Sequence, residues 1–250
     1  MSNKIASDSS FDKIVFDEAT QYRGQQFSNV SLSDCDLNGA IFFGCTFKNC
    51  TFKNTSLRSA RLFAGCTFED CEFTKCDLSG VGIEDGKARF SGTTFKSCDM
   101  RGTDLDRARW SDCVFEKCNI KDGTFHVSHW SNCRFSGALK DINFVGERRQ
   151  KLLADFGKCK LDCVTFRDCD LSACVPPAEK FHFYVVDMAS KIQHAPTLLE
   201  DADEQTKKLV GRRLKALADM DQYIFNTKSL RDIEGDAVAE RIMKIFSIGP

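Results

Sequence analysis

Large apolar residues recur at every fifth position through most of this chain. They occupy eight consecutive positions five residues apart from Phe27 to Leu62, and after short shifts of frame the series resumes at Phe68, at Phe90 and at Leu161. Two positions earlier the residue is usually Cys or Ala, and the other positions are mostly polar. Because a helix repeats every 3.6 residues and a strand every two, neither keeps such a pattern on one side. The pattern predicts a chain that turns a corner every five residues and buries two of them.

These five-residue groups resemble the pentapeptide-repeat proteins, whose pattern is A(D/N)LXX with Cys often replacing Ala. The groups CDLNG at 35–39 and CDLSG at 76–80 match it closely, and the resemblance covers about residues 25–175. It implies an all-β solenoid, a right-handed quadrilateral β-helix in which four groups make one coil and residues 20 apart stack. About six and a half coils are expected.

Stacking by 20 residues predicts two aromatic ladders inside the longest unbroken part of the pattern. We interpret them as core and not as a ligand site, since the same positions are apolar in every coil. The ladder residues are Phe90, Trp110 and Trp130 on one inner face, and Phe95, Phe115 and Phe135 on the next.

The pattern also divides the chain into segments. We expect an N-terminal cap at 1–24, the β-helix at 25–175 and an α-helical cap or small helical domain at 176–250, because helical periodicity replaces the period of five after Pro176-Pro177. Within the β-helix, the largest loss of register falls at 146–158 and predicts a projecting loop that contains a short helix. Three helices are expected in the C-terminal segment, over about 181–192, 209–224 and 233–245.

Composition adds 22 Phe and 14 Cys to this picture, as expected for one large and one small inward position that recur. The N-terminal residues contain no apolar run of signal-peptide length, and no run of 18 apolar residues occurs elsewhere. We therefore expect a cytoplasmic protein with free thiols and no membrane span, although secretion by a route without such a signal would leave no mark.

Chemical motifs are scarce. The cysteines are most often five residues apart with no CxxC pair, which argues against a zinc site, and His126 and His129 fall on either side of a predicted corner. A GxSxG elbow, a P-loop, an HExxH motif and a Gly-rich dinucleotide turn are all lacking. We expect no enzyme activity, no metal and no cofactor.

Two places break the polar outer pattern and are our candidate contacts with a partner. On one face the outward positions carry apolar residues, which either the chain's own terminal segments or an external partner would cover. The second place is the predicted loop, with basic residues followed by apolar ones. The candidates are Ile41, Phe43 and Phe63 on the face, and Arg148, Arg149, Lys151, Leu152 and Phe156 in the loop.

The sequence thus favours a non-catalytic, bacterial protein-binding scaffold that uses the loop and the C-terminal helices on a rigid β-helical rod. Its partner is a protein of unknown identity, with no direct binding of nucleic acid and with a homodimer through the C-terminal helices as one option. The alternative is a mimic of duplex DNA that binds gyrase or another topoisomerase and protects it from poisons, as some family members do. Between Phe11 and Val175 there are 23 acidic and 23 basic residues, which departs from the acidic surface of such mimics.

Overall fold

The computed structural model describes residues 7–16, 20–84 and 87–247. From Ser10 onward the chain forms short strands, most of three residues, separated by corners. These strands are β1 (Ser10–Asp12), β2 (Gln21–Arg23), β3 (Gln26–Ser28), β4 (Ser31–Ser33), β5 (Ile41–Phe43), β6 (Thr46–Lys48), β7 (Thr51–Lys53), β8 (Arg61–Phe63), β9 (Thr67–Glu69), β10 (Glu72–Thr74), β11 (Gly82–Ile83), β12 (Ala88–Ser91), β13 (Thr94–Lys96), β14 (Ala108–Ser111), β15 (Val114–Glu116), β16 (Thr124–His126), β17 (Trp130–Ser131), β18 (Cys133–Lys140), β19 (Asn143–Lys151), β20 (Ala154–Asp162) and β21 (Thr165–Asp170).

Successive coils stack these strands into parallel sheets, and together they form the predicted right-handed β-solenoid. The first face is an eight-stranded sheet in the order β1-β4-β7-β10-β13-β15-β18-β20. The second face is held by isolated bridges such as Asp36 to Ser56 and Ser56 to Asp77. The third face contains β2-β5-β8-β11 and the fourth contains β3-β6-β9-β12-β14-β17, while β16-β19-β21 form a further sheet towards the C-terminal end.

Backbone hydrogen bonds between coils explain why such short strands are stable. Leu37 N donates to Ser56 O at 2.8 Å, and Ser56 N donates to Cys35 O at 3.0 Å, so the polar groups of one coil are satisfied by its neighbours. Many corner residues have left-handed backbone conformations, for example φ of 55° at Asn29 and 53° at Asn49. Gly, Asn and Asp adopt this conformation most readily, which explains the polar residues between apolar ones.

The inward positions are filled as the period of five predicts. Phe90 stacks on Trp110 with ring centroids 4.4 Å apart, and Phe95 stacks on Phe115 at 5.2 Å, all of them buried. The small inward position holds thiols that donate to carbonyl groups of the preceding coil, as Cys45 does to Tyr22 O at 3.4 Å. The cysteines are therefore free and mostly buried parts of the core.

The solenoid is longer than the sequence indicated, with eight strands on its first face in place of about six and a half coils. One reason lies at the N-terminus, where β1 pairs with β4 in register, so residues of the segment predicted as a cap continue the stack. Residues 1–6 and 17–19 of that segment lie outside the described residues. Its capping role stays a prediction.

The prediction of a projecting loop with a helix at 146–158 is wrong. This segment consists of the end of β19 and most of β20, which pair with β21 and β18. The lost register is absorbed by bulges, the larger between Val145 and Gln150, where four residues oppose Asp168 alone. Leu152 and Phe156 are fully buried because they point into the coil, so they cannot be contacts on the surface.

The C-terminal segment, which we call the tail, combines helices with a hairpin-like pair of strands. Strand β22 lies where the first helix was expected to begin, and it pairs in antiparallel fashion with β23. The elements are β22 (His182–Val185), α1 (Met188–Gln193), α2 (Ala195–Leu198), α3 (Glu204–Leu217), β23 (Tyr223–Asn226), α4 (Thr227–Glu234) and α5 (Asp236–Ile245). Within the described residues, no helix has the length and apolar character needed to cross a membrane.

Candidate protein-binding surfaces

The three apolar candidates of the third face lie together in the structure. Strands β5 and β8 pair in register, which places Phe43 beside Phe63, and their rings stack with centroids 4.7 Å apart and planes 13° from parallel. The Arg23 guanidinium lies 3.9 Å from the Phe43 ring centroid, a cation–π contact at the N-terminal end. We call Arg23, Ile41, Phe43 and Phe63 the aromatic column.

The aromatic column is only partly covered. Ile41, Phe43 and Phe63 keep intermediate exposure, whereas Phe42 and Leu62 on the same strands point inward and are buried. Equivalent outward positions on the first face carry polar residues such as Lys53 and Thr74. Two stacked phenyl rings on the outside therefore contribute apolar surface that the core does not use.

Among the described residues, the tail contacts the other end of the rod and leaves the aromatic column uncovered. Asn226 Nδ2 donates to Leu161 O at 2.6 Å, and Leu171 N donates to Gln222 Oε1 at 2.7 Å. The Phe166 and Tyr223 rings meet at 6.5 Å, edge to face. Of the roles considered for the tail, packing onto the last coils is the one seen here, and its part in a homodimer stays a prediction.

The basic candidates lie on and beside the larger bulge. Arg148 and Arg149 have φ of 52° and 60°, and both are exposed, as is Lys151 at the end of β19. Arg149 Nε lies 2.9 Å from an Asp221 carboxylate oxygen, so this side chain joins the rod to the tail. Arg148 and Lys151 have no ion-pair partner among the described side chains, and they stay candidates for an external contact.

The surroundings of the thiols and histidines indicate structural roles for these side chains. Burial raises the pKa of the Cys159 and Cys169 thiols to about 12, so these groups stay protonated at neutral pH. Cys163 is the exposed exception. The His126 and His129 rings lie 6.2 Å apart, and the described part of the chain contains no group of three or more side chains arranged to bind a metal.

Sequence reasoning missed one surface, on the fourth face. Arg89 and Arg109 are exposed and lie side by side on β12 and β14, with His129 in line beyond them. Stacking by 20 residues would have predicted this arrangement, because Arg89, Arg109 and His129 are 20 residues apart within the unbroken part of the pattern. Along the sequence, charges of both signs are mixed around Arg109, as with Asp106 and Arg107. Only the register of the stack places Arg89 beside Arg109.

Comparison with known proteins supports the repeat assignment. A family model described as a pentapeptide repeat region matches residues 66–144, and one described as pentapeptide repeats in eight copies matches residues 26–62. No curated protein matches the chain.

Two of the solved structures that match the chain show how distant the likeness is in sequence. A trypsin-treated variant of QnrB1, a plasmid-mediated fluoroquinolone resistance protein, is 19% identical with a TM-score of 0.49, covering 68% of this chain and 84% of that one. HetL from the cyanobacterium Nostoc sp., a pentapeptide repeat protein involved in the regulation of heterocyst differentiation, is 14% identical with a TM-score of 0.27, covering 66% of this chain and 87% of that one. Neither likeness says what this chain binds.

Proposed function

Because the chain is a pentapeptide-repeat protein, we propose that it is a non-catalytic scaffold that binds another protein through the aromatic column. The observation that carries the proposal is the outward stack of Phe43 on Phe63, which remains partly exposed in the folded chain. The rod supplies a rigid support, since both strands are paired on either side within the third face.

The chemistry of the aromatic column suits a protein partner. Aromatic and Arg side chains contribute most of the binding energy in many protein interfaces, and here they lie in one row. Arg23 precedes the two rings, and Glu84 follows them at the equivalent position of the next coil. An apolar centre with charged ends is the arrangement found in protein interfaces, in which a polar rim surrounds an apolar core.

Site-specific photo-crosslinking tests the proposal. A benzoylphenylalanine replacing Ile41 is expected to capture a discrete protein from extracts of the native host, and the same group replacing Lys53 on the first face is the control. Adding Phe43→Ser and Phe63→Ser should remove most of the product. Identical products from both positions, or products that persist in the serine variant, would refute the proposal. Circular dichroism confirms that each variant is folded.

The alternative, a DNA mimic directed at a topoisomerase, needs a continuous acidic stripe. The second face does carry stacked carboxylates, Asp77 and Asp99, but Arg58 Nε lies 4.0 Å from Asp77 and Arg101 Nη2 lies 2.6 Å from Asp99. These cations neutralise the column, which favours the scaffold. A gyrase supercoiling assay separates the two functions, because the scaffold proposal expects no effect of this protein with or without a poison.

A further inference from the structure

The fourth face carries a groove lined by basic and hydroxyl side chains. Its volume is about 390 Å³, and it extends over four coils from Thr67 and Glu69 to Ser131. Arg89 lies directly opposite Arg109 across paired parallel strands, and His129 occupies the same row in the next coil. We call this region the arginine groove.

Two arginines in this arrangement have no charged partner among the side chains that the structure describes. Like charges directly opposite each other in a sheet are destabilising, and adjacent strands are only about 4.8 Å apart. Arg58 and Arg101 on the second face form ion pairs, whereas neither Arg89 nor Arg109 has an ion pair or a hydrogen bond with another described side chain. The protein thus keeps an unfavourable pair of cations that an anion would stabilise.

A row of hydroxyl groups runs beside the two arginines. Ser91 lies opposite Ser111, and Ser111 lies opposite Ser131, two positions along each strand from the basic row. None of these three hydroxyls donates to or accepts from another group in the described part of the chain. Hydrogen-bond donors of two kinds therefore face the groove side by side, as suits an anion with several acceptor oxygens.

The acidic residues nearby do not cancel this charge. Glu69 lines the N-terminal end of the groove, in the coil before that of Arg89. It lies opposite Ser91, so it continues the row of serines and not the row of arginines. Asp112 occupies the corner beside Ser111, where its Oδ1 accepts a hydrogen bond of 2.6 Å from Asn132. Arg107, two residues before Arg109, is exposed and adds a further cation to the same coil.

We propose that the arginine groove binds the phosphomonoester group of a phosphorylated peptide segment. A phosphate has three acceptor oxygens and nearly two negative charges, enough to engage both guanidinium groups and a serine hydroxyl, whereas a carboxylate has two oxygens and one charge. The four coils of the groove are separated by three inter-strand spacings, so the groove is about 14 Å long. An extended peptide of about four residues has this length.

The same groove does not suit a nucleotide or a nucleic acid strand. Bases bind to single-stranded nucleic acid sites largely by stacking on exposed aromatic rings. The rings that line this groove, those of Phe90, Trp110 and Trp130, point inward and are only 6%, 2% and 5% exposed. The net charge of −1 provides no broad field for a phosphate backbone. This inference is independent of the aromatic column, which lies on another face.

Fluorescence polarisation with a labelled Ala-Ala-phosphoserine-Ala-Ala peptide tests the proposal on the full chain. We expect its Kd to be at least about tenfold lower than for the Ser or Glu version of the peptide, a difference of 1.4 kcal/mol or more. Arg89→Gln and Arg109→Gln should each raise the Kd at least tenfold. Arg134→Gln, at an exposed position of the first face, is the matched control and should leave it within twofold.

Stability measurements keep the test independent of folding defects. Since Arg109→Gln removes a like-charge contact, its thermal midpoint should equal or exceed that of the parent chain, and inorganic phosphate should raise the midpoint of the parent more than that of the variant. The proposal is overturned by equal affinity for the phosphoserine and Glu peptides, by adenosine monophosphate that binds as tightly as the phosphopeptide, or by no saturable binding at all.

Discussion

Removing the Phe156 side chain tests whether 146–158 is core strand, as the structure has it, or a projecting loop. Phe156 is fully buried, and its ring centroid lies 5.5 Å from those of Phe135 and Phe144 and 6.0 Å from that of Phe166. Truncating such a residue loses its transfer free energy and leaves a cavity, so Phe156→Ala should cost about 3–5 kcal/mol. Since whole domains are stable by only about 5–15 kcal/mol, this is a large fraction.

Matched variants lie within four residues. Leu152 is also fully buried, and Leu152→Ala should cost about 2–5 kcal/mol. Leu153 is 43% exposed and points the other way, so Leu153→Ala should change the free energy of unfolding by only about 0.5 kcal/mol. The alternation of large and small effects along one short segment is the signature of a strand.

Urea unfolding followed by tryptophan fluorescence provides the assay. Trp130 is buried, and its ring stacks on Phe135 at 5.2 Å, so it reports on the coils that contain Phe156. Because stacked repeats can unfold unit by unit, hydrogen exchange of the β19 and β20 amides serves as a second, local readout. Costs below about 1 kcal/mol for all three variants would refute the placement of this segment in the core.

Three further predictions concern the larger bulge, the thiols and the tail. Gly146→Ala should destabilise the chain by about 1–3 kcal/mol, because a Cβ there would overlap the backbone carbonyl of Asp168. Gly211→Ala, in open space on α3, should instead stabilise the chain by about 0.5–1 kcal/mol. Equal urea midpoints for the two variants would count against the close approach of Gly146 to the Asp168 carbonyl. A thiol reagent such as Ellman's should react first with one exposed group per native chain, Cys163, and with all 14 thiols in denaturant. Partial desolvation of its sulfur and the nearby carboxylates of Asp162 and Asp141 raise the pKa of Cys163, so its reaction rate in the native chain should increase with pH. Several thiols that react as fast as Cys163 in the native chain would contradict the buried ladders. Burial lowers the pKa of His182 from its ordinary value of 6.5, so the unfolded state binds the proton more readily and tail docking should weaken as the pH falls through 6.5 and below. The variant His182→Gln should show a smaller change of the tail's unfolding midpoint with pH, and an unchanged pH dependence would show that another group is responsible.

The period of five was enough to predict the solenoid and its inward residues. It predicted the positions of Phe42 and Cys45 because both slots recur in every coil and must be apolar or small. It was wrong at 146–158 because the chain loses the period of five there and still remains paired within the stack. The segment keeps a period of two, with Leu152, Ala154 and Phe156 all buried, which is the pattern of a strand that absorbs extra residues in bulges.

The tail and the arginine groove depend on neighbours that are distant in sequence. Strand β22 forms because β23, about 40 residues later, supplies its hydrogen bonds, and local periodicity contains no information on such a partner. Arg89 and Arg109 look unremarkable within their own groups of five. Only their register across coils makes them a pair.

Binding of a protein by the aromatic column can be measured as the affinity of the purified crosslinked partner for matched variants of the chain. Isothermal titration calorimetry would compare the parent chain with the Phe43→Ser/Phe63→Ser variant and with Lys53→Ser as the surface control. We expect at least about tenfold weaker binding for the double variant, or 1.4 kcal/mol, and an effect below twofold for the control. Equal affinity of the parent and the double variant would contradict binding through the aromatic column.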